Sequence, residues 1–159
     1  MILISAMSEG RVIGAGDGMP WHVPEEYQQY LDYTRGQTIL LGRRSMEIFG
    51  PDLSADHAVV LTRLGEAARP EGFIGDLVTA STLDEAIAAA EAFGKTVFCG
   101  GGANVYAECL PRADAMYLSF IKGDFTGDTY FPVFDTSEWQ VVQERDEPRF
   151  RFVHYERAE

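Results

Sequence analysis

The stretch Thr96-Val97-Phe98-Cys99-Gly100-Gly101-Gly102-Ala103-Asn104-Val105-Tyr106 decides the reading of the fold. Residues 96–99 form a short apolar run suited to a buried strand. Three glycines follow, and then a helical stretch, residues 103–110, which Pro111 stops. A strand delivered straight into a helix is half of a βαβ unit and points to a parallel sheet. Three successive glycines let backbone approach a ligand closely, and N–H groups at a helix start can hold a pyrophosphate. The same glycines also suit a tight strand-to-helix turn, although one would serve there at a smaller loss of backbone entropy.

Working outward, segments of the two kinds alternate. Residues 2–7 are an apolar run read as a buried strand. Residues 8–23, with Gly10, Gly14, Gly16, Gly18 and Pro20, are read as loop. Pro24-Glu25-Glu26 opens a helix that runs to about Thr34 and stops at Gly36. Residues 38–41 are a strand, 43–49 a short helix, 58–62 a third strand and 77–79 a weaker one. Residues 82–93 form the clearest helix, capped by Thr82 with Glu85 completing a capping box and ended by Gly94. Residues 115–121 are a strand and 123–132 a turn-rich loop. Residues 139–144 and 150–155 alternate apolar and polar side chains around Asp146-Glu147-Pro148, which reads as an antiparallel hairpin. The expected fold is therefore α/β. One domain, residues 1–159, carries a mostly parallel central sheet with helices on both faces and an antiparallel C-terminal hairpin.

The chain has 159 residues, 13 Lys plus Arg against 25 Asp plus Glu, and a net charge of −12. Such an acidic surface excludes sequence-independent nucleic-acid binding and is repelled by anionic membranes. Any bound anion must be held by a few placed arginines. No run of about 20 apolar residues is present, nor a basic leader, so a soluble, cytoplasmic protein is expected. Cys99 and Cys109 sit in apolar surroundings and read as buried thiols. No Cys/His ligand spacing suggests a metal.

Several residues point to chemistry. Gly94-Lys95-Thr96 looks like the end of a phosphate-binding loop, but position 89 is Ala89 and the segment runs from helix to strand, so that reading fails. Arg43, Arg44, Ser45, Thr62 and Arg63 lie at expected strand ends. Arginines and hydroxyls there favour a cofactor with a 2′-phosphate, NADPH over NADH, unless they are merely solvated surface groups. Glu26 and Tyr30 share a helix face near Trp21. A carboxylate there is partly desolvated and could grip a flat ring through two N–H donors, or could simply favour the helix dipole. His22, His57 and His154 have no partners at ligand spacing.

Met19-Pro20-Trp21, Glu26, Gly42-Arg43, Gly101-Gly102 with Val105-Tyr106, and Gly127-Asp128-Thr129 together resemble dihydrofolate reductase, in that family's order and over nearly the whole chain. The resemblance implies NADPH-dependent reduction of 7,8-dihydrofolate, with Glu26, Trp21 and Tyr106 as catalytic positions and N5 protonated through a water near Trp21. It places Ile4, Ala6, Glu26, Tyr27, Tyr30, Phe49, Leu53 and Ser119 around the substrate. It places Ala6, Ile13, Gly14, Met19, Gly42, Arg43, Arg44, Ser45, Leu61, Thr62, Arg63, Gly101, Gly102, Ala103, Asn104, Val105, Tyr106 and Thr129 around the cofactor. It implies a cis Gly101–Gly102 peptide, a lid at residues 14–19 touched by the loop of Asp128, and a monomer. Two positions depart from the family pattern. Asp56 stands where the family has an Arg for the glutamate tail, so a tail-less dihydropterin or a diaminopyrimidine is an alternative substrate, with His57 or Arg35 as substitute anchors for the tail. Gly100 replaces an apolar residue and would open space near the nicotinamide. A silent folate- or nucleotide-binding module is the non-enzymatic alternative.

Overall fold

A computed structural model describes residues 1–16 and 18–159. Asp17, within the expected lid, lies outside the described residues. Among the described residues, ten strands and four α-helices run in the order β1 (Ile2–Ser8), β2 (Val12–Gly14), α1 (Pro24–Thr34), β3 (Thr38–Gly42), α2 (Arg43–Phe49), β4 (His57–Leu61), β5 (Asp76–Ala80), α3 (Leu83–Glu91), β6 (Val97–Cys99), α4 (Ala103–Cys109), β7 (Ala115–Ile121), β8 (Thr129–Tyr130), β9 (Trp139–Asp146) and β10 (Phe150–Arg157). Eight strands form one sheet in the order β5-β4-β3-β6-β1-β7-β10-β9. All pairs from β5 to β7 are parallel, and β10 pairs antiparallel with both β7 and β9. The expected mixed sheet and C-terminal hairpin are present.

Alternation along the central strands feeds two cores. Leu3, Met7, Leu40, Val59, Met116 and Leu118 are wholly inaccessible and pack with Ala86 and Ala90 of α3 and Val105 and Cys109 of α4. Ile39, Leu41, Ala58 and Val60 face the opposite side, against Met46 of α2 and the Tyr30–Leu31 segment of α1. Helices therefore cover both faces, as buried parallel strands require. Cys99 and Cys109 are buried free thiols in the first core.

Local sequence explains the helix ends. Pro24 occupies the first turn of α1 with Glu25 and Glu26, and Gly36 just beyond takes φ +72°. Thr82 caps α3 by accepting from the Glu85 N–H at 3.2 Å. The expected capping box closes one residue early, because Glu85 Oε2 accepts from the Ser81 N–H at 3.3 Å.

Two strands fall in segments read as loop. β2 pairs antiparallel with β8, two to three residues each, as a small second sheet. Strands this short, interrupted by glycine, carry no detectable alternation. The pairing ties the expected lid to the loop before β8: the Asp128 N–H donates to the Gly14 carbonyl at 3.0 Å, and the Gly16 N–H to Asp128 Oδ2 at 3.1 Å. No helix among the described residues is long and apolar enough to cross a membrane.

Candidate active site

A cleft of about 420 Å³ opens beyond the C-terminal ends of β1, β3 and β6. Ligands in open α/β sheets sit at such strand ends. One part of its wall comes from β1 and α1, with Ile4, Ala6, Glu26, Tyr27 and Tyr30, together with Phe49 of α2. The remainder includes Ile13, Gly14, Met19, Gly42, Arg43, Arg44, Ser45, Gly102, Ala103, Asn104, Val105, Tyr106 and Thr129. Most residues of the two groups expected around substrate and cofactor thus line one cavity.

Glu26 is the unusual member of this wall. It is one of only two buried residues of α1, at 7 % exposure. It makes no salt bridge among the described residues. Burial pushes its carboxyl up from an ordinary value near 4.5 to about 7, and the Ser119 hydroxyl opposes part of that rise. Ser119 itself is buried at β7, behind Glu26 and off the cavity surface.

Aromatic rings rim this end. Tyr27 and Tyr30 stack at 6.0 Å, and each lies 6.2 Å from Phe49. The Tyr27 hydroxyl donates to Asp52 Oδ2 at 2.6 Å. The Tyr30 hydroxyl is buried with no hydrogen-bond partner among the described residues. A Cβ on Gly100 would stand 3.2 Å from that hydroxyl and 2.9 Å from Ile39 Cδ1. Gly100 lines the cleft with bare backbone, and Tyr30 and Ile39 press closely on the position its side chain would take.

At the other end, backbone replaces side chains. The Gly101–Gly102 peptide is cis, and Gly101 takes φ +91°, a conformation few other residues adopt. The Gly42 N–H donates to the Gly101 carbonyl at 2.7 Å, so the ends of β3 and β6 are locked together. A Cβ on Gly42 would press Val105 at 3.3 Å. Gly102 caps α4 with no side chain, leaving first-turn N–H groups without intrahelical partners. Beside these donors, α2 begins with Arg43, Arg44 and the buried Ser45. Amide donors, cations and a hydroxyl converging on bare backbone fit the phosphates of a dinucleotide. The Tyr106 hydroxyl, buried, donates to the Ile4 carbonyl at 2.6 Å and pins α4 to β1.

Some expected residues stand off the cavity. Leu53 is 3 % exposed and packs into the core beside Met46. Trp21 is half-buried, edge-on to Phe125 at 5.5 Å, and braces the entry to α1. Leu61 packs against the α3 core, and Thr62 is buried with its Oγ1 accepting from the Leu64 N–H at 3.2 Å. Arg63 is exposed, 3.6 Å from Glu108 of α4. Two lining residues, Ser5 and Ile48, have no counterpart in the sequence reading. Ser5 had a visible signal, being the one hydroxyl inside the first apolar run.

Comparison with known proteins agrees with this geometry. The dihydrofolate reductase family model matches residues 1–157. The chain belongs to the dihydrofolate reductase family. It is 35% identical over 163 residues to dihydrofolate reductase HdrB of Haloferax volcanii, covering 99% of this chain and 84% of that protein. It is 31% identical over 161 residues to the Bacillus subtilis dihydrofolate reductase, covering 97% and 92%. A solved dihydrofolate reductase from Enterococcus faecalis, complexed with NADP(H) and RAB-propyl, superposes with TM-score 0.83 at 30% identity, covering 99% of this chain and 96% of that one. The chain is thus an enzyme of dihydrofolate reduction.

Proposed function

We propose that Glu26 binds and orients the pterin ring of 7,8-dihydrofolate while C6 is reduced and N5 protonated, giving 5,6,7,8-tetrahydrofolate. One observation carries this reading: an acid with no cationic partner among the described residues stands buried in a cleft that continues into the glycine and arginine cradle. A buried carboxylate is costly until something pairs with it. The N3–H and 2-amino group of a pterin present two donors on one flat edge and form a charge-assisted pair. A carboxyl with pKa about 7 also exchanges its proton readily near neutral pH.

Arg43, Arg44, Ser45, Arg63 and the start of α4 would hold the phosphates of NADPH, which when bound supplies the hydride. Tyr106, fixed by its bond to Ile4, ties α4 to β1 in the wall of the cleft where the rings would bind. The expected lid, anchored through Gly14 and Gly16 to Asp128, would close over them and exclude water. Trp21 acts at one remove, by setting the start of α1. We further infer that residues 1–159 act as one unit, a cytoplasmic monomer. The test follows NADPH absorbance in the presence of dihydrofolate. Glu26→Gln should bind NADPH as the wild type does and turn over at least about tenfold more slowly at neutral pH. Full activity in that variant refutes the role of Glu26.

A second reading concerns the substrate tail. Asp56 immediately precedes β4, and its Oδ2 lies 3.7 Å from Lys95 Nζ. His57 stacks on Phe93 at 3.8 Å with Nδ1 3.1 Å from Asp76, so it is engaged beside α3, on the face of the sheet away from α1. Arg35 ends α1 and pairs with Asp32 at 3.2 Å. An acid at position 56 favours a dihydropterin lacking the glutamate, and relative turnover of the two substrates distinguishes them.

A further inference from the structure

A row of residues in register crosses four strands beneath α1. Ala6 of β1 pairs with Ser119 of β7, Ser119 with Phe152 of β10, and Phe152 with Arg145 of β9. Residues so aligned project from one face of a sheet. Above them on α1, Glu26 and Gln29 are three residues apart and share a helix face. Gln29 Nε2 donates to Ser119 Oγ at 3.3 Å. Arg145 Nη2 donates to Gln29 Oε1. Arg145 is itself fixed, with Nε 2.7 Å from Glu147 Oε1 and its guanidinium 5.0 Å over the Phe152 ring.

The donors in this chain can run in only one direction. A guanidinium has no acceptor, so Gln29 must turn its amide oxygen toward Arg145. Its amide nitrogen then faces Ser119, whose oxygen accepts. The single Ser119 proton is then free to turn toward the Glu26 carboxyl, whose charged form Ser119 favours. We propose that Gln29 and Arg145 are positioning residues that set the polarity of this relay, so that Ser119 donates to Glu26 and favours its ionised form. The groups that face Glu26 otherwise give little competition. Tyr30 on its own helix and Tyr106 from α4 couple to it electrostatically, and burial raises both phenols so that they stay neutral. Ile4 and Ala6 of β1 and Phe49 of α2 are apolar, and Ser119 is the contact from β7.

The consequence for turnover rests on the role proposed for Glu26, but the protonation itself does not. It can be read directly in the ligand-free protein from the 13C carboxyl resonance of Glu26 against pH. Gln29→Glu keeps the size of the side chain and its contact with Arg145 but offers only acceptors, so the Ser119 proton is drawn away from Glu26. The Glu26 midpoint should rise by about one pH unit. Arg145→Met keeps the packing on Phe152, releases the Gln29 amide, and should give a smaller rise. Because Arg145 lies at the surface, that variant serves if Gln29→Glu does not fold. In a Ser119→Ala background both shifts should largely vanish. An unmoved midpoint overturns the proposal. So does a shift of equal size without Ser119, which would mark a direct charge effect. If the midpoint moves as expected while the pH profile of kcat stays in place, the relay stands and the catalytic assignment of Glu26 falls.

Discussion

Replacing Glu26 by Gln should stabilise the unliganded protein, and only at neutral and alkaline pH. The carboxyl titrates near 4.5 in an unfolded chain and at about 7 in the fold, because burial penalises the charged form. The folded state therefore binds the proton more tightly. As pH rises from 4.5 to 7 the native protein retains a proton that the unfolded chain has released, and stability falls across that window. Above pH 7 the full cost applies, about 3 kcal/mol at 1.36 kcal/mol per pH unit. Below pH 4.5 none of it does. Gln is neutral throughout and preserves the shape, so wild type and variant should be nearly equal at pH 4. By pH 8 they should differ by up to about 3 kcal/mol, or roughly 6–12 °C in Tm for a chain of this size. Urea denaturation at steps from pH 4 to 8, followed by circular dichroism, measures the difference directly. Two stability curves that run parallel between pH 5 and 8 would show that Glu26 is not held at a raised pKa, and the argument from its burial would fail.

Tyr30→Phe removes a buried hydroxyl that has no partner, so the ligand-free protein should gain about 1 kcal/mol by thermal denaturation. A loss would reveal a hidden partner. Gly101→Ala forces a side chain to φ +91° and places a Cβ 2.6 Å from the Tyr106 ring; it should cost about 1–3 kcal/mol of stability and weaken NADPH binding in a fluorescence titration. Asp56→Arg should lower the KM for dihydrofolate roughly tenfold and leave kcat nearly unchanged, a charge-assisted bond being worth about 1.5–3 kcal/mol. An unmoved KM would show that position 56 does not meet the tail.

What was legible in the sequence was whatever local chemistry decides. Apolar runs marked the central strands, Pro24 and Thr82 marked helix starts, and the glycines at 100–102 marked the turn into α4. The site was legible where residue type is scarce: one acid beside aromatic residues, and arginines at strand ends. Tertiary relations were not legible. Nothing around Gln29 in the chain announces that Arg145, 116 residues away, will orient its amide. Nothing near Gly100 in the chain shows that Tyr30 and Ile39 will press on it from one side. β2 and β8 exist because their loops pair with each other, which no short window of sequence contains.

The net charge of −12 sets a problem that the cradle resolves locally. The cofactor phosphates are anions, and the field of the whole chain opposes their approach. At physiological salt the Debye length is about 8 Å, so that field is weak at the cleft and the nearest charges decide. Two of those charges are partly engaged already. Arg43 Nε lies 3.8 Å from Glu47, and Arg63 Nη2 lies 3.6 Å from Glu108. Exposed pairs of this kind contribute at most about 1 kcal/mol. They restrain the guanidiniums only weakly and yield them to a phosphate at small cost. Glu108→Gln releases Arg63 from its partner without touching the cavity wall. It should tighten NADPH binding at low salt by up to about fivefold, and the gain should disappear near ~1 M salt, where the Debye length is about 3 Å. A variant that binds NADPH no better than wild type at low salt would mean that Arg63 does not reach the cofactor. The 2′-phosphate preference would then rest on Arg43, Arg44 and Ser45 alone.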